Sequence, residues 1–134
     1  MASATILTAF REITDLTVTQ YADLDVTDKA EPYALSMYNH IMDDTETITA
    51  HTTGDEAIDR VIAFFCGAYV FEEKFKKRVR DGVYEYEMFY QDGMRILNMI
   101  APWKIAFDPN SRRYYPRHKN RGQSVTTATA AEYA

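Results

Sequence analysis

Thr53-Gly-Asp-Glu-Ala-Ile-Asp-Arg-Val-Ile-Ala-Phe-Phe-Cys-Gly-Ala-Tyr-Val-Phe-Glu-Glu-Lys-Phe-Lys-Lys77 is the stretch on which the fold turns. Its opening, Thr53-Gly-Asp-Glu56, matches the capping box, in which a threonine oxygen takes one orphan amide and a glutamate reaches back to another. Ile58, Val61, Ile62, Phe65, Ala68, Tyr69 and Glu72 then share one helical face, while Phe64, Cys66, Val70 and Phe71 make much of the remaining circumference apolar. A helix that is apolar on more than one side belongs at the centre of its domain. The pattern predicts a helix over 55–77. The basic run Lys74, Lys76, Lys77, Arg78, Arg80 suits its C-terminal dipole, and Asp81-Gly82 supplies the break.

Downstream, Tyr86, Phe89, Tyr90, Gly93, Leu97 and Ile100 form a second stripe between Val83 and Ala101. Tyr84, Tyr86, Met88 and Tyr90 also alternate, so a strand competes for the first half. The helix is preferred because one 3.6-residue period runs on through Ile100 and Pro102 then stops it. Gly67 and Gly93 fall inside the two helices, where each costs about 1 kcal/mol relative to alanine; close helix crossing is the expected compensation. Trp103-Lys-Ile-Ala-Phe107 reads as a short strand and Asp108-Pro-Asn-Ser111 as a turn. From Arg112 onward no periodicity persists, which predicts an extended arm that orders only against something it docks on.

Upstream, Thr45 to Gly54 reads as a loop with Ile48 turned inward. Pro32 within a first turn and Ala34, Met37, Tyr38 and Ile41 at helical spacing predict a helix over 29–43, capped by Thr27 or Asp28. Thr17 to Leu24 reads as one or two helical turns capped by Thr17 or Thr19. Met1 to Thr5 is expected to fray, with a short amphipathic turn at Ile6, Leu7 and Phe10. The fold class is therefore mainly α: a small helical bundle with two long central helices, a short C-terminal strand and an extended C-terminal arm. The helical domain is expected over 1–111 and the arm over 112–134, with Ile58, Val61, Phe65, Tyr69, Phe89, Leu97 and Ile100 mostly buried.

With 134 residues the chain fits one domain, able to bury roughly two-thirds of its unfolded surface without staples. The single cysteine, Cys66, allows no internal disulfide and no cysteine-rich zinc site; among phenylalanines and a glycine it reads as inert core. No basic leader precedes an apolar run and no stretch approaches a membrane span, so neither a signal peptide nor a membrane partner is expected. Charge is uneven along the chain. Residues 1–60 hold twelve acids against three bases, whereas residues 104–134 hold six bases against two acids. Such asymmetry bears on partners, not on fold.

Phosphate-loop, dinucleotide, zinc-protease, hydrolase-elbow and calcium-loop signatures are all missing from the sequence. No catalytic residue, metal or cofactor is expected, and the chain is not read as an enzyme. His40 with Asp43 and Asp44, and His51 beyond them, could converge on a metal only if a second segment joined them; His118 sits among bases that would repel a cation. Glu85 and Glu87 alternate with tyrosines as helix-surface charges, and Glu72 and Glu73 face Lys76 and Lys77 as ordinary pairs. The arm interleaves aromatics with bases. Arg112, Arg113, Tyr114, Tyr115, Arg117, Lys119 and Arg121 are the side chains that a protein partner or a single-stranded nucleic acid would engage. An acidic body disfavours the polyanion.

The order of elements, with the texture of Ala63-Phe-Phe-Cys-Gly-Ala-Tyr69 followed by Phe89-Tyr-Gln-Asp-Gly-Met-Arg-Ile-Leu97, resembles the head–tail connector (adaptor, or head-completion) proteins of tailed phages and viruses. The resemblance spans roughly 15–110 and rests on architecture, with no catalytic fingerprint; the tail sequence is not fixed in that family, so 112–134 stands outside it. It implies a structural virion neck protein, made in the host cytoplasm, that forms a ring of about twelve copies under the portal protein. The ring would extend the DNA channel and bridge to the next neck protein, a stopper or tail-completion factor. In that frame Asp23, Asp25, Asp43 and Asp44 are candidate channel or interface acids past which double-stranded DNA slides without specific binding, and the arm docks on the portal. A small nucleic-acid-binding protein using the arm, or a helical enzyme or ligand-binding bundle, remain the other readings.

Overall fold

Two antiparallel helices, α4 (Glu56–Lys74) and α5 (Glu85–Ile100), make the most extensive contact in the computed structural model, which describes residues 4–42, 55–76 and 78–117. Before them come α1 (Ala4–Thr14), a one-turn α2 (Asp23–Asp25) and α3 (Glu31–Met42). Between α4 and α5 a hairpin of β1 (Val79–Arg80) and β2 (Val83–Tyr84) intervenes; after α5, a 3-10 turn (Pro102–Lys104) leads into a second hairpin, β3 (Ile105–Asp108) and β4 (Arg113–Pro116). The expected mainly α bundle with two long central helices and a short C-terminal strand is the architecture found.

Helix α4 is central because it is apolar nearly all round: every residue from Val61 to Ala68 is buried. α1 and α3 pack on it alongside α5. Asp55, not Thr53, is its cap, accepting from Ala57 N at 2.9 Å and Ile58 N at 3.3 Å. An aspartate one residue before the helix reaches the second and third amides directly, so the box pattern two residues earlier is not needed. Thr53 and the loop with Ile48 lie outside the described residues.

The crossing of α4 and α5 depends on glycine. A Cβ built at Gly93 would stand 2.8 Å from Phe65 Cε1 and 3.1 Å from Phe64 Cβ, and one at Gly67 would meet Thr14 Cγ2 at 3.2 Å and Phe89 Cγ at 3.4 Å. The Phe65 ring is fully buried and has nowhere to turn. Gly93→Ala therefore pushes the helices apart: overpacking of about 1–3 kcal/mol opposes about 1 kcal/mol of helix propensity. A net loss of stability is expected on urea unfolding; a gain would show that the helices do not meet here.

Several expectations are corrected. Residues 4–14 form a full helix where only a short turn at Ile6, Leu7 and Phe10 is expected, because Ile6, Ala9 and Phe10 all find cover and Ile6 and Phe10 are fully buried; of the stretch expected to fray, residues 1–3 lie outside the described residues. Thr17 and Thr19 cap no helix. Thr17 and Gln20 instead exchange bonds across a turn, Gln20 Oε1 accepting from Thr17 N at 2.9 Å and Thr17 Oγ1 from Gln20 N at 3.3 Å. The helix expected over 29–43 starts earlier, at Asp23, and passes through a π-type segment, Val26–Ala30, where Glu31 N donates to Val26 O. Val83-Tyr84 is strand rather than helix, since Asp81 and Gly82, at φ 53° and 81°, form a two-residue turn with both central residues left-handed. Of the expected core, Val61, Phe65, Phe89 and Leu97 are buried, while Ile58, Tyr69 and Ile100 are only partly buried at its margin.

Candidate functional site

Hairpin β3–β4 carries most of the described arm residues. Its register pairs Ile105 with Pro116, Ala106 with Tyr115, Phe107 with Tyr114 and Asp108 with Arg113. The turn is built by Asp108, whose Oδ1 accepts from Asn110 N at 2.9 Å and whose Oδ2 accepts from Ser111 Oγ at 3.0 Å, with Arg112 left-handed at φ 60°. The boundary expected between 111 and 112 thus falls inside a turn, and the arm begins as a strand of the same sheet.

That strand is fastened to α5. Gln91 Nε2 donates to Tyr114 O at 3.1 Å while Gln91 Oε1 accepts from Tyr114 N at 2.6 Å, so the side-chain amide takes the place of a neighbouring strand. One turn earlier, Glu87 pairs with Arg113. Arg117 Nε donates to Ile105 O at 2.9 Å, and Tyr114 packs on the core edge and against Phe107. Pro116 offers no N–H to a further strand. Arg113, Tyr114 and Arg117 are therefore spent largely within the subunit, which corrects the expectation of a free arm over these residues. Arg112 and Tyr115 remain exposed; Lys119, Arg121 and His118 lie outside the described residues.

Beside this hairpin stand the largest exposed apolar side chains. Met99, on the last turn of α5, is 76% exposed, and Trp103, in the 3-10 turn, is 65% exposed. Phe107 and Tyr115, 40% and 46% exposed, lie on opposite faces of the hairpin. Tryptophan, tyrosine, methionine and arginine are the residues enriched at protein interfaces.

A second surface is the loop between α1 and α2. Arg11 holds it from beneath: its Nη1 donates to Leu16 O and Thr17 O, each at 3.2 Å, and it pairs with Asp23. Val18 in this loop and Leu24 in α2 are 59% and 64% exposed. Asp15, Asp23, Asp25 and Asp28 fall in the same stretch of chain, with Lys29 3.7 Å from Asp25 Oδ1. Asp23 and Asp25 are thus each engaged by a base of their own subunit; Asp43 and Asp44 lie outside the described residues.

The first hairpin is clamped by charge. Glu85, at the first residue of α5 and nearly fully buried, faces Arg78 Nε at 2.7 Å from one oxygen and Arg80 Nη2 at 2.6 Å from the other. An isolated two-stranded ribbon is marginal in water, and this double pairing at a helix N-terminus holds its base. Glu85 and Glu87, read from sequence as simple surface charges, are the clamps of the two hairpins. Among the described residues no group of three or more His, Cys, Asp or Glu could hold a metal ion; His40 is exposed at the end of α3 and His51 lies outside them. Cys66 is buried, and burial, with Glu31 nearby, pushes its thiol well above the ordinary range, so it is not nucleophilic. No helix among the described residues is long and apolar enough to cross a membrane.

Tyr21 ties the acidic loop to the core, packing on Phe10 with Lys74 over its ring. Burial, with Tyr69 and Asp25 adding repulsion, pushes its hydroxyl up to about 12. The unfolded chain ionises this group near 10 while the folded chain resists, so its contribution is intact below pH 10 and is lost as pH rises towards 12. Tyr21→Phe should flatten the fall in stability over that window; an unchanged slope would place the alkaline sensitivity elsewhere. No family model, curated protein or solved structure matches the chain.

Proposed function

We propose that this chain is a structural neck protein of the head–tail connector kind: an adaptor that assembles as a ring under the portal of a tailed virus, extends the DNA channel and receives the next neck protein. The observation that carries the reading is the placement of large apolar side chains outside the core, on rigidly fastened elements. Met99, Trp103 and Tyr115 towards the C-terminal end of α5 and on the second hairpin, and Val18 and Leu24 on the stapled loop and α2, leave apolar surface exposed in the single subunit. The acidic N-terminal half suits a passive lining past which double-stranded DNA moves, since carboxylates do not retain phosphates. With Arg113 and Arg117 turned to their own subunit, the described part of the arm favours protein contact over a cationic nucleic-acid groove.

Native mass spectrometry and electron microscopy of the purified full chain test this directly. A discrete ring, with no salt-dependent binding of double-stranded DNA, is the expected result. A monomer or dimer that shifts on adding oligonucleotide, and releases it as salt rises, would replace the proposal with a nucleic-acid-binding function.

A further inference from the structure

We propose that the cleft bounded by α1, α4, α5 and the first hairpin binds a small carboxylic acid with one apolar body, a site that does not depend on the ring reading above. The cleft measures about 250 Å³, below the roughly 300–1,000 Å³ of pockets for drug-sized ligands, so it suits a single ring or a short branched chain. Ile13, Phe64, Met88 and Phe89 supply its apolar wall, and Arg60 and Arg80 reach it from α4 and β1. Arg60 is steadied there by the Phe64 ring, its guanidinium carbon 5.8 Å from the ring centroid. An apolar lining with a few convergent polar groups is how small-molecule sites are built.

The charge of the ligand follows from the ion pairs around the cleft. Glu85 and Asp92 also line it, but both are already engaged: Glu85 by Arg78 at 2.7 Å and Arg80 at 2.6 Å, Asp92 by Arg95 at 3.4 Å. Arg60 pairs loosely with Glu12, at 3.7 Å and with both side chains exposed. Arg60, Arg78, Arg80 and Arg95 thus face Glu12, Glu85 and Asp92, four guanidiniums on three carboxylates. One positive charge is in excess, and it lies where Arg78 and Arg80 share Glu85. Arg80 donates to that carboxylate through Nη2 and its side chain is 58% exposed, which leaves most of the donors of its fork for a second carboxylate. A carboxylate, with one charge and a planar pair of oxygens, matches both the excess and the guanidinium geometry. A phosphate monoester, at about −1.5 to −2, overshoots it.

The test is titration of the full-length chain with phenylacetate, followed by NMR chemical shifts, with phenylacetamide as the uncharged comparator and phenyl phosphate as the more highly charged one. Phenylacetate should bind saturably with about millimolar affinity, its shift changes gathered on Phe64, Arg80, Met88 and Phe89. Each comparator should bind about tenfold or more weakly, as expected when a charged hydrogen bond is lost or mismatched. Two full-length variants, their folding checked by circular dichroism, separate the parts of the site. Met88→Trp fills the apolar wall without touching a charge, and Arg80→Gln removes the grip while Arg78 still holds Glu85. Each should weaken phenylacetate about tenfold or more. Phenylacetamide or phenyl phosphate binding as tightly as phenylacetate overturns the carboxylate assignment. Absence of saturation at about 50 mM, far above a millimolar dissociation constant, or unaltered binding by either folded variant, overturns the site. None of these results bears on the ring, which native mass spectrometry reads separately.

Discussion

Phe65→Ala should destabilise the fold by about 3–5 kcal/mol, the range for deleting a fully buried aromatic ring. Phe65 has no exposure, stacks near Tyr90 with ring centroids 5.7 Å apart, and lies over Gly93 where α5 crosses α4. The ring is the filler of the crossing, so its loss leaves a void that two helices of the central pair must share. The same geometry gives the mutation a diagnostic partner. In Phe65→Ala the obstruction to a methyl group at position 93 is largely removed, so adding Gly93→Ala should cost less than it does alone, and a coupling of about 1 kcal/mol or more is expected in a double-mutant cycle. Strict additivity in chemical denaturation would mean that the two residues do not share one space.

Removing residues 112–134 should destabilise the body by about 3 kcal/mol or more. Truncation deletes β4, which costs the two Gln91 bonds to Tyr114, at about 0.5–1.5 kcal/mol each. It also leaves Glu87 without Arg113 and uncovers Ile105, whose full burial is worth about 1.5–3 kcal/mol. Composition alone points the other way: a run of Arg, Tyr and Pro without periodicity suggests an arm whose deletion leaves the melting temperature unchanged. The strand pairing decides against it. A loss below about 1 kcal/mol would show that the hairpin contributes little to the body.

The two predictions divide what the sequence displays from what it conceals. The α4–α5 pair is legible because its apolar positions repeat at short range and its two interior glycines are unexplained until something approaches them closely. The first hairpin was hidden by size. Asp81-Gly82 is a strong turn pair, but flanking strands of two residues each cannot display a period of two, so the turn reads only as a break. The second hairpin was hidden by distance: Gln91 and Tyr114 are 23 residues apart, and nothing in a glutamine on a helix announces that it will serve as a strand. Arg11 is the same case. A lone arginine on α1 becomes the support of a loop only once that loop returns over it. The exposed Trp103 and Met99 escaped notice because apolar residues near a stripe are read as part of it, and only the burial of neighbouring Leu97 and Ile105 shows which way each side chain faces.

The π-type segment Val26–Ala30 amounts to one surplus residue in an otherwise continuous helical run from Asp23 to Met42. It acts as a phase shifter. Each residue of an α-helix turns the chain by about 100°, so the surplus sets the azimuth of everything before it relative to the face that α3 buries through Ala34, Tyr38 and Ile41. Excising Asp28 would allow a regular helix and, by local energetics alone, favour it. It would also swing Asp23 and Leu24 about a quarter-turn around the axis, taking Asp23 away from Arg11. The irregularity is thus a timing mark: it trades one turn of ideal geometry for the angle at which Asp23 meets Arg11.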